Sequence, residues 1–86
     1  EKFIGRRVTI LGWCITSKTV STKMGEAMEF VTFEDETGLI ETVFFPDIYR
    51  KSASILEHHS AFLVSGRVTE EFGVAILEVC GLQKPS

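Results

Sequence analysis

Along most of the chain apolar and polar residues alternate with a period of two, the signature of strands that bury one face. Residues 7–17 are rich in β-branched and aromatic types and predict a long first strand. Val8, Ile10, Gly12 and Cys14 fall on one face of it, and Thr9, Leu11, Trp13 and Ile15 on the other. Gly12, in mid-strand, marks a place where the strand coils sharply or a neighbouring backbone comes close. Residues 18–27 are polar, contain Gly25, and read as a loop or as an extended hairpin tip. A second strand follows over 28–35, then a tight turn at Glu36, Thr37 and Gly38, then a third strand over 39–45. At Pro46 the period changes. Pro46 and Asp47 suit a first helical turn, and Ile48, Tyr49, Ser52, Ile55 and Leu56 recur at three- and four-residue spacing. They predict an amphipathic helix over 47–57 with Arg50, Lys51 and Glu57 facing water. Alternation resumes over 61–69, breaks at a hairpin turn over 70–73, and continues over 74–82, leaving 83–86 as a frayed tail.

Three meandering strands, a helix and a closing hairpin are the order of an all-β, five-stranded OB-fold Greek-key barrel with a short helix between the third and fourth strands. Length fits one such domain over 1–86, with the ordered barrel over about 5–82. The chain is 44% hydrophobic and 24% charged, the balance of a water-soluble globular domain. No apolar run reaches the length of a membrane span, and the first residues lack the pattern of a signal peptide. The first residue is Glu1 rather than Met, so a piece of a longer protein is expected. Cys14 and Cys80 sit in apolar, strand-like surroundings that favour buried free thiols, which points to a reducing, cytoplasmic setting.

The formal net charge of −3 argues against tight, autonomous nucleic-acid binding, because phosphate neutralisation supplies most non-specific affinity. Nothing points to catalysis, a metal or a cofactor. There is no glycine-rich phosphate loop, and the two aspartates, Asp35 and Asp47, fall at a hairpin and a helix start. His58 and His59 are adjacent, which seldom aims both rings at one ion, and read as a surface turn.

Residues 22–49 carry a more specific pattern. Lys23 and Gly25 precede Met28, then come Phe30-Val31-Thr32, Glu34-Asp35, Thr37-Gly38, Ile40-Glu41 and Phe45-Pro46, with Tyr49 three residues on. With Gly66-Arg67-Val68, this resembles the OB domain near the C-terminal end of bacterial DNA polymerase III alpha subunits, over roughly residues 5–82. The pair Gly12-Trp13 is also similar to the anticodon-binding OB domain of class II aminoacyl-tRNA synthetases. Those domains tend to have a shorter, Arg-rich first loop, whereas the basic residues here are Lys18 and Lys23. The polymerase resemblance is therefore the stronger.

That resemblance implies a non-catalytic module of a DNA-directed DNA polymerase that contacts single-stranded DNA weakly during replication. OB folds bind single strands across the second and third strands. By analogy Val31 and Phe33 fill the barrel while Phe30 and Thr32 face outward. Phe30 is the candidate stacking platform, or else packs under the first loop or on a neighbouring domain. Trp13 is a second stacking candidate, or core or interface filler. Lys18 and Lys23 are the best phosphate contacts, Arg7 and Arg67 weaker ones, and Arg50 weaker still. Glu41 has the chemistry to accept from a base amino group. Outward carboxylates at Glu29, Glu34 and Glu41, with Glu70 and Glu71 in the last hairpin, would weaken a phosphate groove. A monomer is expected. The alternatives are a module that docks on other polymerase domains or replisome proteins, or a tRNA anticodon-binding OB domain of a class II aminoacyl-tRNA synthetase.

Overall fold

The computed structural model describes residues 4–71 and 73–85. Its elements are β1 (Arg7–Ser21), β2 (Ala27–Asp35), β3 (Gly38–Phe44), α1 (Pro46–His58), β4 (Ala61–Glu71) and β5 (Val74–Gln83). The strands close in the order β1-β2-β3-β5-β4. This is the expected five-stranded OB barrel with its helix between the third and fourth strands. Antiparallel ladders join every neighbouring pair except β3 and β5, which meet in parallel over the short register Thr42–Leu77 and Val43–Glu78.

β1 serves two neighbours. Its first half, Arg7 to Trp13, pairs with β4, and its second half, Trp13 to Ser21, pairs with β2. The strand must coil where it changes partners, and Gly12 stands there. A Cβ on Gly12 would lie 3.1 Å from that of Phe33. The nearest neighbour is thus a side chain, with the Glu34 carbonyl oxygen at 3.6 Å, and a tighter backbone approach occurs at Gly66. There a Cβ would lie 2.4 Å from the Glu78 carbonyl oxygen.

Phe33, Phe44 and Phe62, all fully buried, form the centre of the core. Phe33 meets Phe62 nearly edge-on, with centroids 5.9 Å apart, and Phe44 at a tilt, 6.4 Å away. Val31, Val64, Leu77, Val79 and Leu82 surround them. Phe44, the last residue of β3, faces the core, and Phe45, the extended N-cap of α1, is exposed.

α1 packs on β5 and β2 and touches β3. Pro46 opens it, Asp47 lies in its first turn, and the Tyr49 amide donates to the Phe45 carbonyl at 2.8 Å. Ile48, Tyr49, Ile55 and Leu56 pack on the core, and the small Ser52 between them is buried. Arg50, Lys51 and Glu57 face water as expected.

Two bulges break the alternation. On β1 the register shifts between Cys14 and Thr16, leaving Ile15 as an extra residue. On β5, opposite the Ser65–Gly66 step, Cys80 is the extra residue. The expectation of a buried Cys80 is corrected: the bulge leaves it exposed, 3.9 Å from the Arg7 guanidinium, while Cys14 is half-buried and free. Burial, and secondarily the Glu29 carboxylate, push the Cys14 thiol above its ordinary pKa.

The polar stretch after residue 17 resolves as a hairpin tip. β1 runs on to Ser21, and the turn closes when the Thr22 amide donates to the Glu26 carbonyl at 2.8 Å. The Thr22 hydroxyl accepts from the Met24 and Glu26 amides. In the last hairpin β4 extends to Glu71, and Phe72 lies outside the described residues. Gln83 belongs to β5, Lys84 and Pro85 follow it, and Ser86 lies outside the described residues.

Candidate nucleic-acid interface

The outer face of β1, β2 and β3 can be read in rows across the ladders. Trp13, Glu34 and Leu39 make one row, Thr16, Thr32 and Glu41 the next, and Lys18, Phe30 and Val43 the third. The bulge at Ile15 sets this arrangement. Before it, even-numbered residues of β1 face the core, as Cys14 does opposite Phe33. After it, Thr16 and Lys18 stand opposite Thr32 and Phe30, on the outside.

Phe30 is 39% exposed, and Val31 and Phe33 fill the barrel beside it. The Phe30 side chain is thus partly open to solvent, with Lys18 on one side and the buried Val43 on the other. Thr32 is half-buried, and its hydroxyl donates to Glu41 Oε1 at 3.0 Å. Glu41 is exposed, but this bond occupies one of its carboxylate oxygens.

Lys23 is exposed in the turn at the hairpin tip, five residues beyond Lys18. Among the described residues neither lysine takes part in an ion pair. The tip's acid, Glu26, pairs instead with Arg50 of α1 at 3.5 Å, and Arg50 also meets Asp47 at 2.5 Å. Arg50, weighed as a phosphate contact, therefore ties the helix to the hairpin.

Two other candidates stand apart. Arg67 is exposed but lies opposite Arg7, at the far end of β1 from Lys18. Round the other side of the barrel, Arg67 stands in the Phe30 row but three ladder steps from it, beyond Glu78 and Val43, about 14 Å away. Trp13 is 49% exposed and shares the outer face, yet it sits directly across from Glu34.

The carboxylates need one correction. Glu29, expected among the outward acids, is 7% exposed and accepts from the Thr19 hydroxyl at 2.5 Å. It leaves the face to Glu34 and Glu41. Thr16 is the residue that sequence reasoning missed. Alternation assigns it to the core side, and no side-chain signal announces the bulge that turns it outward. Around His58 and His59, His58 Nδ1 lies 2.7 Å from the Ser54 carbonyl, and no group of three potential metal ligands occurs among the described residues. No described helix is long and apolar enough to cross a membrane.

The family model for OB-fold nucleic acid binding domains of the tRNA anti-codon type matches residues 8–82. The chain belongs to this family. Within it, this OB-fold domain is similar to DNA polymerase III subunit alpha of Bacillus subtilis (strain 168), 38% identical over 50 residues. That match covers 58% of this chain and 4% of the relative. It is 30% identical over 63 residues to DNA polymerase III subunit alpha of Pseudomonas fluorescens, covering 73% of this chain and 5% of that one. The Staphylococcus aureus (strain Mu50 / ATCC 700699) subunit is 38% identical over 50 residues, or 58% of this chain and 5% of the relative. The OB-fold domain thus spans about a twentieth of the length of the polymerase subunits it matches.

Proposed function

We propose that this OB-fold domain, residues 1–86, is a non-catalytic module of a DNA polymerase III alpha subunit that holds single-stranded DNA weakly beside the enzyme during replication. The observation that carries the reading is the placement of Phe30, exposed on the outer face of β2 with Lys18 across the ladder. A base stacks on the Phe30 ring, while Lys18 and, towards the hairpin tip, Lys23 meet the flanking phosphates. Thr32 and Thr16 add hydroxyls in the next row. Two phosphate contacts are few, and Glu34 and Glu41 share the face, so affinity depends on the rest of the polymerase chain. The module acts in the cytoplasm as a monomer, with polymerase domains and replisome proteins as its neighbours.

Fluorescence anisotropy of a labelled oligothymidylate, titrated with the 86-residue chain at low and moderate salt, tests this. Weak, salt-sensitive binding supports the reading. No binding at high micromolar protein in low salt, or preference for a folded tRNA loop over the oligothymidylate, contradicts it.

A further inference from the structure

The other end of the same outer face has the opposite chemistry. A groove of about 580 Å³ is lined by Thr9, Leu11 and Trp13 of β1 and by Glu34, Asp35 and Glu36 at the end of β2. Ile10 completes it. Leu11, Trp13 and Ile15 expose about half of their surface each, an apolar stripe along β1 that the described residues leave half open. Three consecutive acidic residues wall it, and Glu34 stands directly opposite Trp13.

Distance decides what can occupy the groove. Glu34 and Phe30 are four residues apart on β2, about 13 Å. That exceeds the screening length of about 8 Å at physiological salt, so the Lys18 charge does not offset the carboxylates at the Trp13 end. A phosphate placed there would face three carboxylates. Asp35 is no exception, since its hydrogen bonds from Thr37 and Gly38 hold its carboxyl below the ordinary range and keep it ionised.

We infer that the Trp13 groove is a protein-docking site for a segment that presents an arginine between apolar side chains. The guanidinium lies over the indole face and donates to Glu34, joining cation–π attraction to a charge-assisted hydrogen bond. Apolar neighbours of that arginine cover Leu11 and Ile15. Trp and Arg are the residue types that most often dominate protein interfaces, and the net charge of −3 favours a basic partner. Trp13 is then a partner contact, and the nucleic-acid face ends near Thr32. The two ends of one sheet face would serve two ligands at once.

Trp13 is the single tryptophan of the chain, so its emission and its indole N–H signal report on this groove directly. The 86-residue chain is titrated with a capped peptide, Leu-Arg-Ser-Leu-Arg-Ser, with the same peptide carrying Glu for Arg, and with an oligothymidylate. The expected result is a saturable change of Trp13 emission and indole shift with the arginine peptide alone. Glu34→Gln and Glu36→Gln, both at exposed positions, should each weaken that binding about threefold, as should a rise in salt. The inference is overturned if the arginine peptide leaves both signals unchanged at millimolar concentration, or if the glutamate peptide matches it. It also fails if the oligothymidylate moves the Trp13 signals, or if they change with protein concentration alone. Oligothymidylate shifts confined to Lys18 and Phe30 leave the proposed nucleic-acid function standing whatever the peptide does.

Discussion

Lys18 on β1 stands directly across the antiparallel ladder from Phe30 on β2. The pairing exists because Ile15 is an extra residue. Without that bulge the even-numbered phase of Val8, Ile10 and Cys14 would carry Lys18 toward the core. One inserted residue therefore converts a buried phase into a cation beside an exposed aromatic ring.

Phe30→Ala should cost about 1–3 kcal/mol of binding to an oligothymidylate, the range of one base stacked on an aromatic side chain. Phe30→Tyr should retain most of the affinity. Because Phe30 is on the surface, the alanine variant's denaturation midpoint should change far less than that of a Phe33 or Phe62 truncation, which would cost about 3–5 kcal/mol. Anisotropy and urea titrations on the same preparations read both effects.

The salt dependence of binding counts the phosphates. With Lys18 and Lys23 as the two contacts, log K against log salt should have a slope of about −1.4, and Lys18→Ala or Lys23→Ala should each remove about 0.7 of it. Arg67→Ala should leave the slope unchanged, since Arg67 stands three ladder steps from Phe30, with the acid Glu78 between them.

Gly66→Ala should destabilise the barrel without touching either face. Its Cβ would fall 2.4 Å from the Glu78 carbonyl oxygen, a backbone atom held in the β4–β5 ladder. A clash of this kind costs about 1–3 kcal/mol, and each kcal/mol lowers the melting temperature by about 4–8 °C in a domain of this size. Gly12→Ala should be milder, because its Cβ would lie 3.1 Å from that of Phe33 and ask for a shift of only a few tenths of an ångström. Thermal unfolding of the two variants gives the order directly.

Asp35 makes the β2–β3 hairpin sensitive to acid. Hydrogen bonds from the Thr37 hydroxyl, the Thr37 amide and the Gly38 amide lower its pKa below 3.8 in the folded chain. A lowered folded pKa adds stability above the unfolded value and loses it as pH falls through the folded one. The contribution should be complete above about pH 4 and fade below it. Asp35→Ala should flatten that part of the stability profile, as urea midpoints across pH 2–6 would show.

Much of this was legible in the sequence because alternation and period are local. Val31 and Phe33 inside with Phe30 and Thr32 outside, Phe44 against Phe45, and the helix face of Ile48, Ser52 and Ile55 all follow from spacing. What escaped depends on partners. The bulges at Ile15 and Cys80 are properties of two strands in register, so neither strand's own pattern reveals them. Glu29 is buried because Thr19, ten residues away, supplies a donor. Lys18 looked like a loop residue because the polar run after Ser17 carries no apolar alternation, yet it extends the ladder to Ser21. In the candidate site, Phe30 and Thr32 share the outer face as alternation assigns, Lys18 joins them only through the bulge, and Arg67 and Trp13 lie apart from them. Residue type marked those two as binders, but position on the barrel separates them.

The central claim, that the Lys18–Phe30 end of the sheet face holds single-stranded DNA, is tested most directly by amide shift mapping of the 86-residue chain with an oligothymidylate in low salt. Progressive shifts are expected, centred on Thr16, Lys18, Phe30 and Thr32, extending to Lys23 and leaving Arg67 and Glu36 unmoved. Shifts centred on Glu34–Glu36 or on Arg67, or none at millimolar oligonucleotide, would contradict it.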